Sequence, residues 1–316
     1  MKHVFSLLPC NKKGRSLVIW GMKRLMLTII TLCYAVTAHT QQGALLISEL
    51  LFMPRSGEAE YLELYNNSGM AINLSDYHVV RWIGDTLGKH YPLPEHTLAA
   101  HDYVALTKDA ASVTANYDVK YPDKLVECAL PPYPNDGGRV VVSTADSIVV
   151  DLFAYSPAMH SRLLRNKAGV ALERRRYDRG SDDAANWFSA SSVSGYGTPG
   201  YENSQSAEYL VEETAFAFSS PLLSPDGDGY QDEIEIVYSM EDAGLSARAE
   251  VYDSRGRMVR RLLNNALLGS HGTITWDGRD DNSRTLPQGH YVVLITIYSL
   301  EGTLQTIRRA IALLSY

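Results

Sequence analysis

The chain is poor in cysteine. Three occur in 316 residues, and two of them, Cys10 and Cys33, fall within the first 38. A body left with Cys128 alone forms no intramolecular disulfide, whatever its redox compartment. Cys128, beside a proline-rich loop, reads as a buried small hydrophobe. The signatures of common reaction types are missing too. There is no Gly-x-Ser-x-Gly for a nucleophilic serine, no Gly-x-x-x-x-Gly-Lys to cradle phosphate and no His-Glu-x-x-His to hold zinc. His90, His96 and His101 lie near Glu95 and Asp102 but at no metal-ligand spacing, and His78 sits in a strand pattern as a surface or partly buried side chain. Apolar runs long enough for a membrane helix are absent after residue 38. The expectation is a protein that is not an enzyme.

What the sequence does have begins with a leader. Lys23 and Arg24 precede an apolar run over 25–36, which ends in small residues at Val36-Thr37-Ala38. A basic start, a short apolar stretch and small residues before the cut are the parts of a secretory signal peptide. Cleavage is expected after Ala38, with Met22 as an alternative start. Leu32 before Cys33 is a poor fit to lipoprotein processing. Residues 1–38 hold six basic and no acidic residues, so a formal charge of −7 becomes −7 − 6 = −13 without them. Such a body repels phosphates, which argues against nucleic acid as a partner.

The remainder reads as β-structure. Residues 45–52 form an apolar run of strand length, and 60–65 alternate, with Leu62 and Leu64 on one face and Tyr61, Glu63 and Tyr65 on the other. Further strands are predicted at 72–74, 77–82, 103–107, 140–143 and 148–153, with a short helix over 108–116. A run rich in Ser and Gly over 189–206 reads as the end of one domain and the start of a linker reaching about Thr214. Strands then recur at 234–238, 247–252, 258–263, 273–276, 291–298 and 303–313. Many short strands punctuated by Gly, Pro and Asn describe sandwiches.

The first domain resembles a lamin-tail domain, an immunoglobulin-like module found in nuclear lamins and in bacterial exported proteins. The matching residues are Leu46-Ile47-Ser48-Glu49-Leu50, Glu60-Tyr61-Leu62-Glu63-Leu64-Tyr65-Asn66-Asn67 and Ile72-Asn73-Leu74-Ser75-Asp76-Tyr77. Pro134-Asn135-Asp136-Gly137-Gly138, Leu172-Glu173-Arg174, Asn186-Trp187 and Gly197-Thr198-Pro199-Gly200 continue the series. The C-terminal part is similar to the immunoglobulin-like domain of flagellar hook-capping proteins, through 251–259, Thr275-Trp276-Asp277-Gly278 and Leu286-Pro287-Gln288-Gly289-His290-Tyr291. There Trp276 and Tyr291 are expected in the core, and Gly278 and Gly289 in turns. Its position and the Ser224-Pro225-Asp226-Gly227 entry also resemble C-terminal sorting domains of type IX secretion substrates.

Two local patterns carry chemistry. Asp226, Asp228, the Tyr230 carbonyl and Asp232 are spaced like oxygen ligands of a calcium loop. Gln231 and Val237 stand where an EF-hand needs Gly and Glu, so the motif is not an EF-hand, and an acidic interdomain turn is the alternative. Arg162, Arg165, Arg174, Arg175 and Arg176, with Lys167 and Arg179, form a basic cluster suited to an anionic partner. The alternative there is a solvated strand edge. Twenty tyrosines add flat amphipathic rings suited to carbohydrate or protein contact.

The expected molecule is therefore all-β: two tandem immunoglobulin-like β-sandwiches, over 44–204 and 215–316, joined by a linker at 205–214 and preceded by a cleaved signal peptide. No cofactor is required, and a calcium ion at the acidic loop is the one candidate. The expected route is Sec export through the periplasm to the outer-membrane surface or the outside. The first domain would engage a protein or glycan of the envelope, and the second would act as scaffold or as a signal to secretion machinery. The rival from another class is an accessory subunit of an extracellular hydrolase of nuclease or phosphatase type.

Overall fold

Alternating apolar side chains become strands in both halves of the chain. The structure, a computed structural model, describes residues 43–84, 86–207 and 215–314. The expected leader and most of the expected linker lie outside the described residues. Twelve strands build the first half: β1 (Leu45–Leu51), β2 (Tyr61–Asn66), β3 (Ile72–Asn73), β4 (Tyr77–Ile83), β5 (Thr86–Pro92), β6 (Thr97–Leu98), β7 (Tyr103–Thr107), β8 (Leu125–Glu127), β9 (Gly138–Thr144), β10 (Val149–Tyr155), β11 (Leu172–Arg174) and β12 (Trp187–Ser189). A six-stranded sheet runs β12-β11-β1-β2-β7-β8 and a four-stranded one β10-β9-β4-β5. Between them Ile47, Leu62, Leu64, Val79, Val140, Phe153 and Trp187 form the core, with Phe153 and Trp187 stacked at 3.5 Å. The expected helix is α1 (Ala110–Asn116), capped by Asp109, whose side chain accepts from the Ser112 N–H.

The second half holds β13 (Ala215–Phe218), β14 (Leu222–Leu223), β15 (Ile234–Ser239), β16 (Ser246–Asp253), β17 (Met258–Leu267), β18 (His271–Trp276), β19 (Gly289–Ser299) and β20 (Gly302–Leu313). A three-stranded sheet, β13-β15-β18, faces a five-stranded one, β14-β20-β19-β16-β17. Trp276 and Tyr291 meet edge-on in the core at 5.7 Å, as the resemblance implied. Gly278 has φ +74 with Leu313 and Leu223 packed on it, a conformation glycine adopts without strain. Gly289 differs from expectation: it opens β19 with ordinary backbone and makes no left-handed turn.

Leu45 and the chain beyond it form one unit. The reason lies in the serine-rich segment expected to end the first domain and begin a linker. Ser191, Ser204, Gln205 and Ser206 are buried. The Ser191 and Ser192 hydroxyls donate to the Leu267 carbonyl at 3.0 and 2.8 Å. Gln205 Nε2 donates to the carbonyls of Ser189 (3.0 Å) and Leu268 (2.9 Å). Ser270 returns the contact, its N–H reaching the Ser204 carbonyl at 2.8 Å and its hydroxyl the Ser206 carbonyl. At least as far as Ala207, the expected linker is therefore an interface between the sandwiches.

Candidate functional site

A β-bulge decides what the first sandwich buries on its outer side. The register of β1 against β2 shifts between Ile47 and Glu49, so Ile47 and Leu50 both enter the core while Glu49 turns away from it. Glu49 then lies opposite Glu63 of β2 and opposite Glu173 of β11. All three side chains are fully buried. The cover is the 190–205 segment. Thr198 N–H donates to Glu49 at 3.1 Å, Gly200 N–H to Glu63 at 2.7 Å and Gln205 N–H to Glu173 at 2.8 Å. Tyr61 donates to Glu49 at 2.8 Å and the Ser204 hydroxyl to Glu173 at 2.8 Å.

Three carboxylates cannot all ionise here. Burial raises each pKa, and mutual repulsion raises those of Glu49 and Glu63 further. Glu173 is pushed up to about 7 by burial, against the hydrogen bonds it receives. The geometry agrees. Thr198 Oγ1 lies 3.2 Å from Glu49 Oε2 and 3.1 Å from Glu173 Oε1, and its single proton cannot serve both. A carboxyl that keeps its own proton resolves that contact. The cluster is a fastening for the segment that also joins the sandwiches. Sequence reasoning missed it because only Glu63, between Leu62 and Leu64, lies in an alternating pattern, while Glu49 and Glu173 have an apolar neighbour on one side only and no spacing links the three.

The structure gathers the three carboxylates of the expected calcium loop. Asp226, Asp228 and Asp232 are the one group of three or more His, Cys, Asp or Glu among the described residues whose ligand atoms lie within 4.8 Å of one another. Asp232 accepts from the N–H of Gly227 and of Gly229 (2.8 Å for the latter), Asp226 from Asp228 N–H at 3.1 Å and Asp228 from Tyr230 N–H at 2.7 Å. Gly227 and Gly229, at φ +83 and +88, allow the chain to curl around the carboxylates. Tyr230 is 69% exposed at the turn. Carboxylate oxygens gathered in this way suit a hard cation.

The arginine cluster is divided. Arg174 is buried and pairs with the buried Asp151 at 3.0 Å, which removes it from any surface patch. Arg176 is occupied by Asp178 at 2.6 Å. Arg175 crosses to the second sandwich, donating to the Glu241 carbonyl at 2.7 Å. Arg162 and Arg165 stay exposed. His78 and His90 sit edge-on across β4 and β5 with Nδ1 atoms 3.4 Å apart. Cys128 is partly buried against the first core, and burial pushes its thiol up to about 11.

Residues 38–157 match the family model described as Lamin Tail Domain. The lamin-tail match contains Glu49 and Glu63 and stops before Glu173, so the fastening is completed by chain outside it. No curated protein matches. Among solved structures, FlgD from P. aeruginosa is similar at 14% identity, with a TM-score of 0.22, over 33% of this chain and 70% of its own. PorZ, a surface component of the type IX secretion system of Porphyromonas gingivalis, gives 13% and 0.23 over 57% of this chain and 20% of its own. Dimeric latent PorU from the same organism gives 8% and 0.27 over 86% and 34%. The chain thus spans about a third or less of the length of PorU and PorZ.

Proposed function

We propose that the protein is an exported, non-catalytic binding and structural module of the cell envelope, in which two immunoglobulin-like sandwiches present one rigid surface. The observation that carries this reading is the buried interface between them. Hydroxyls of Ser191, Ser192 and Ser270 and the amide of Gln205 are spent on carbonyls across it, and each satisfied buried bond adds roughly 0.5–1.5 kcal/mol. Polar groups used for cohesion fix the mutual placement of two surfaces, which serves recognition. The second sandwich acts as scaffold and as a signal to secretion machinery.

The test of the non-catalytic part is an assay of purified protein against nuclease and phosphatase substrates with divalent metals. No turnover is expected; turnover abolished by a single point mutation would overturn the reading. For the secretion part, residues 215–316 fused to a reporter should carry it to the surface or medium. A simple deletion is a poor test, because it would expose the buried Ser191, Ser204 and Gln205.

Within the same proposal, the Asp226–Asp228–Asp232 loop takes calcium. A melting scan with calcium or chelator should show a midpoint higher by several degrees with the ion. The difference should vanish in Asp228→Ala.

A further inference from the structure

The sandwiches enclose a cleft of about 450 Å³, within the range of small-molecule sites, roughly 300–1,000 Å³. The first sandwich contributes Arg55, Arg165, Asn166 and Tyr196 to its lining, and the second Asn264 and Asn265. Leu163, Leu164, Val170 and Leu267 supply apolar surface between these polar groups. In a chain of net charge −7, the lining holds two guanidinium groups, three amides and a phenol, and no carboxylate.

The polar groups are positioned by backbone features local to the cleft. β17 is bulged against β16: Ala266 pairs with Ala247 and Leu263 with Ala249, so Asn264 and Asn265 together oppose Arg248 alone. Such bulges re-aim side chains. Asn265 lies at φ +50 and Tyr196 at φ +70, both left-handed, a conformation that costs energy outside glycine and is concentrated at ligand sites. Gly169, at φ +77, has no side chain to displace Arg55: a Cβ there would stand 2.7 Å from the guanidinium carbon. Glu58 pairs with that guanidinium at 3.2 Å. Leu267, a lining residue, is also where the Ser191 and Ser192 hydroxyls fasten the two sandwiches together, through its carbonyl.

We propose that this interdomain cleft binds an acidic saccharide, with Arg165 and Arg55 facing its carboxylate and Asn166, Asn264 and Asn265 its hydroxyls. The amide oxygens of Asn166 and Asn265 already accept from Ala168 N–H at 3.0 Å and from Arg248 at 3.4 Å, which leaves their N–H groups to donate to sugar hydroxyls. Arginine pairs with carboxylate through a planar fork. The leucines and Tyr196 suit the apolar faces of a sugar ring. Because walls from both sandwiches are needed, the cleft gives the rigid interface a purpose. The inference rests on the non-catalytic binding reading and names its ligand class.

The probe is a series of galacturonic acid oligomers titrated calorimetrically into the full mature chain at about 0.15 M ionic strength, where long-range charge is screened. Fully methyl-esterified oligomers and polyglutamate serve as comparisons. Saturable binding is expected for the acidic oligomers, weakened ~10-fold or more by esterification or by Arg165→Ala, since each removes a charge-assisted contact. Asn265→Gly, which keeps the left-handed backbone, should weaken binding without lowering the melting midpoint. Equal affinity of wild type and Arg165→Ala, equal affinity for polyglutamate, or no binding to any oligomer would overturn the assignment. Reducing ends are measured in the same samples: their release would overturn the non-catalytic reading and leave the cleft standing, whereas lack of binding would do the reverse.

Discussion

Two kinds of buried charge give the first sandwich opposite responses to change at single residues. Glu49, Glu63 and Glu173 are held in a site that favours their protonated forms. A carboxyl whose folded pKa is raised contributes fully below its unfolded value, ~4.3 for glutamate, and that contribution is withdrawn as pH climbs through the folded value. Glu173, pushed up to about 7, therefore weakens the fold progressively between those two values. The melting midpoint should fall as pH rises across this window, and Glu173→Gln should flatten the fall. Arg174 is the contrasting case. Its guanidinium is paired with Asp151, which also accepts the Ile47 N–H at 2.8 Å. Arg174→Met would leave a buried carboxylate uncompensated, a loss of about 3–5 kcal/mol, measurable by urea denaturation at pH 7.

At the scale of elements, the interface depends on close backbone approach as well as on hydroxyls. A Cβ on Gly269 would stand 2.3 Å from the Ser204 carbonyl oxygen, with backbone on both sides of the clash. Gly269→Ala should thus lower the melting midpoint, whereas Gly256→Ser, at an open turn with no atom near the added Cβ, should cost only the strain of its positive φ. Thermal melts of the two variants make the comparison. The strands themselves were largely legible, because alternation of Leu62 and Leu64 or Ile234 and Ile236 has one physical cause, a face turned to a core. β5 was not, since Gly88, Lys89, His90 and Pro92 break any apolar pattern, and β11 and β12 are only three residues long. The packing of the serine run was not legible for a different reason: composition cannot distinguish hydroxyls facing water from hydroxyls facing carbonyls. The gathering of Asp226, Asp228 and Asp232 was legible because they are near neighbours in sequence. The glutamate fastening was not, since Glu173 and Glu49, which pair across the sheet, stand 124 positions apart.

For the whole molecule, the account is of two sandwiches acting as one body. The segment that covers the glutamates through Thr198, Gly200 and Gln205 is also the segment bonded to Leu267, Leu268 and Ser270. Loosening either set of contacts should therefore loosen the other, and the cleft between Arg165 and Asn265 should lose its shape with them. Differential scanning calorimetry of the mature chain at about pH 6 tests this coupling most directly. One cooperative transition is expected in the wild type, splitting into two when Gln205→Ala and Ser270→Ala are combined. Two separate transitions already in the wild type, unmoved by those substitutions, would contradict it.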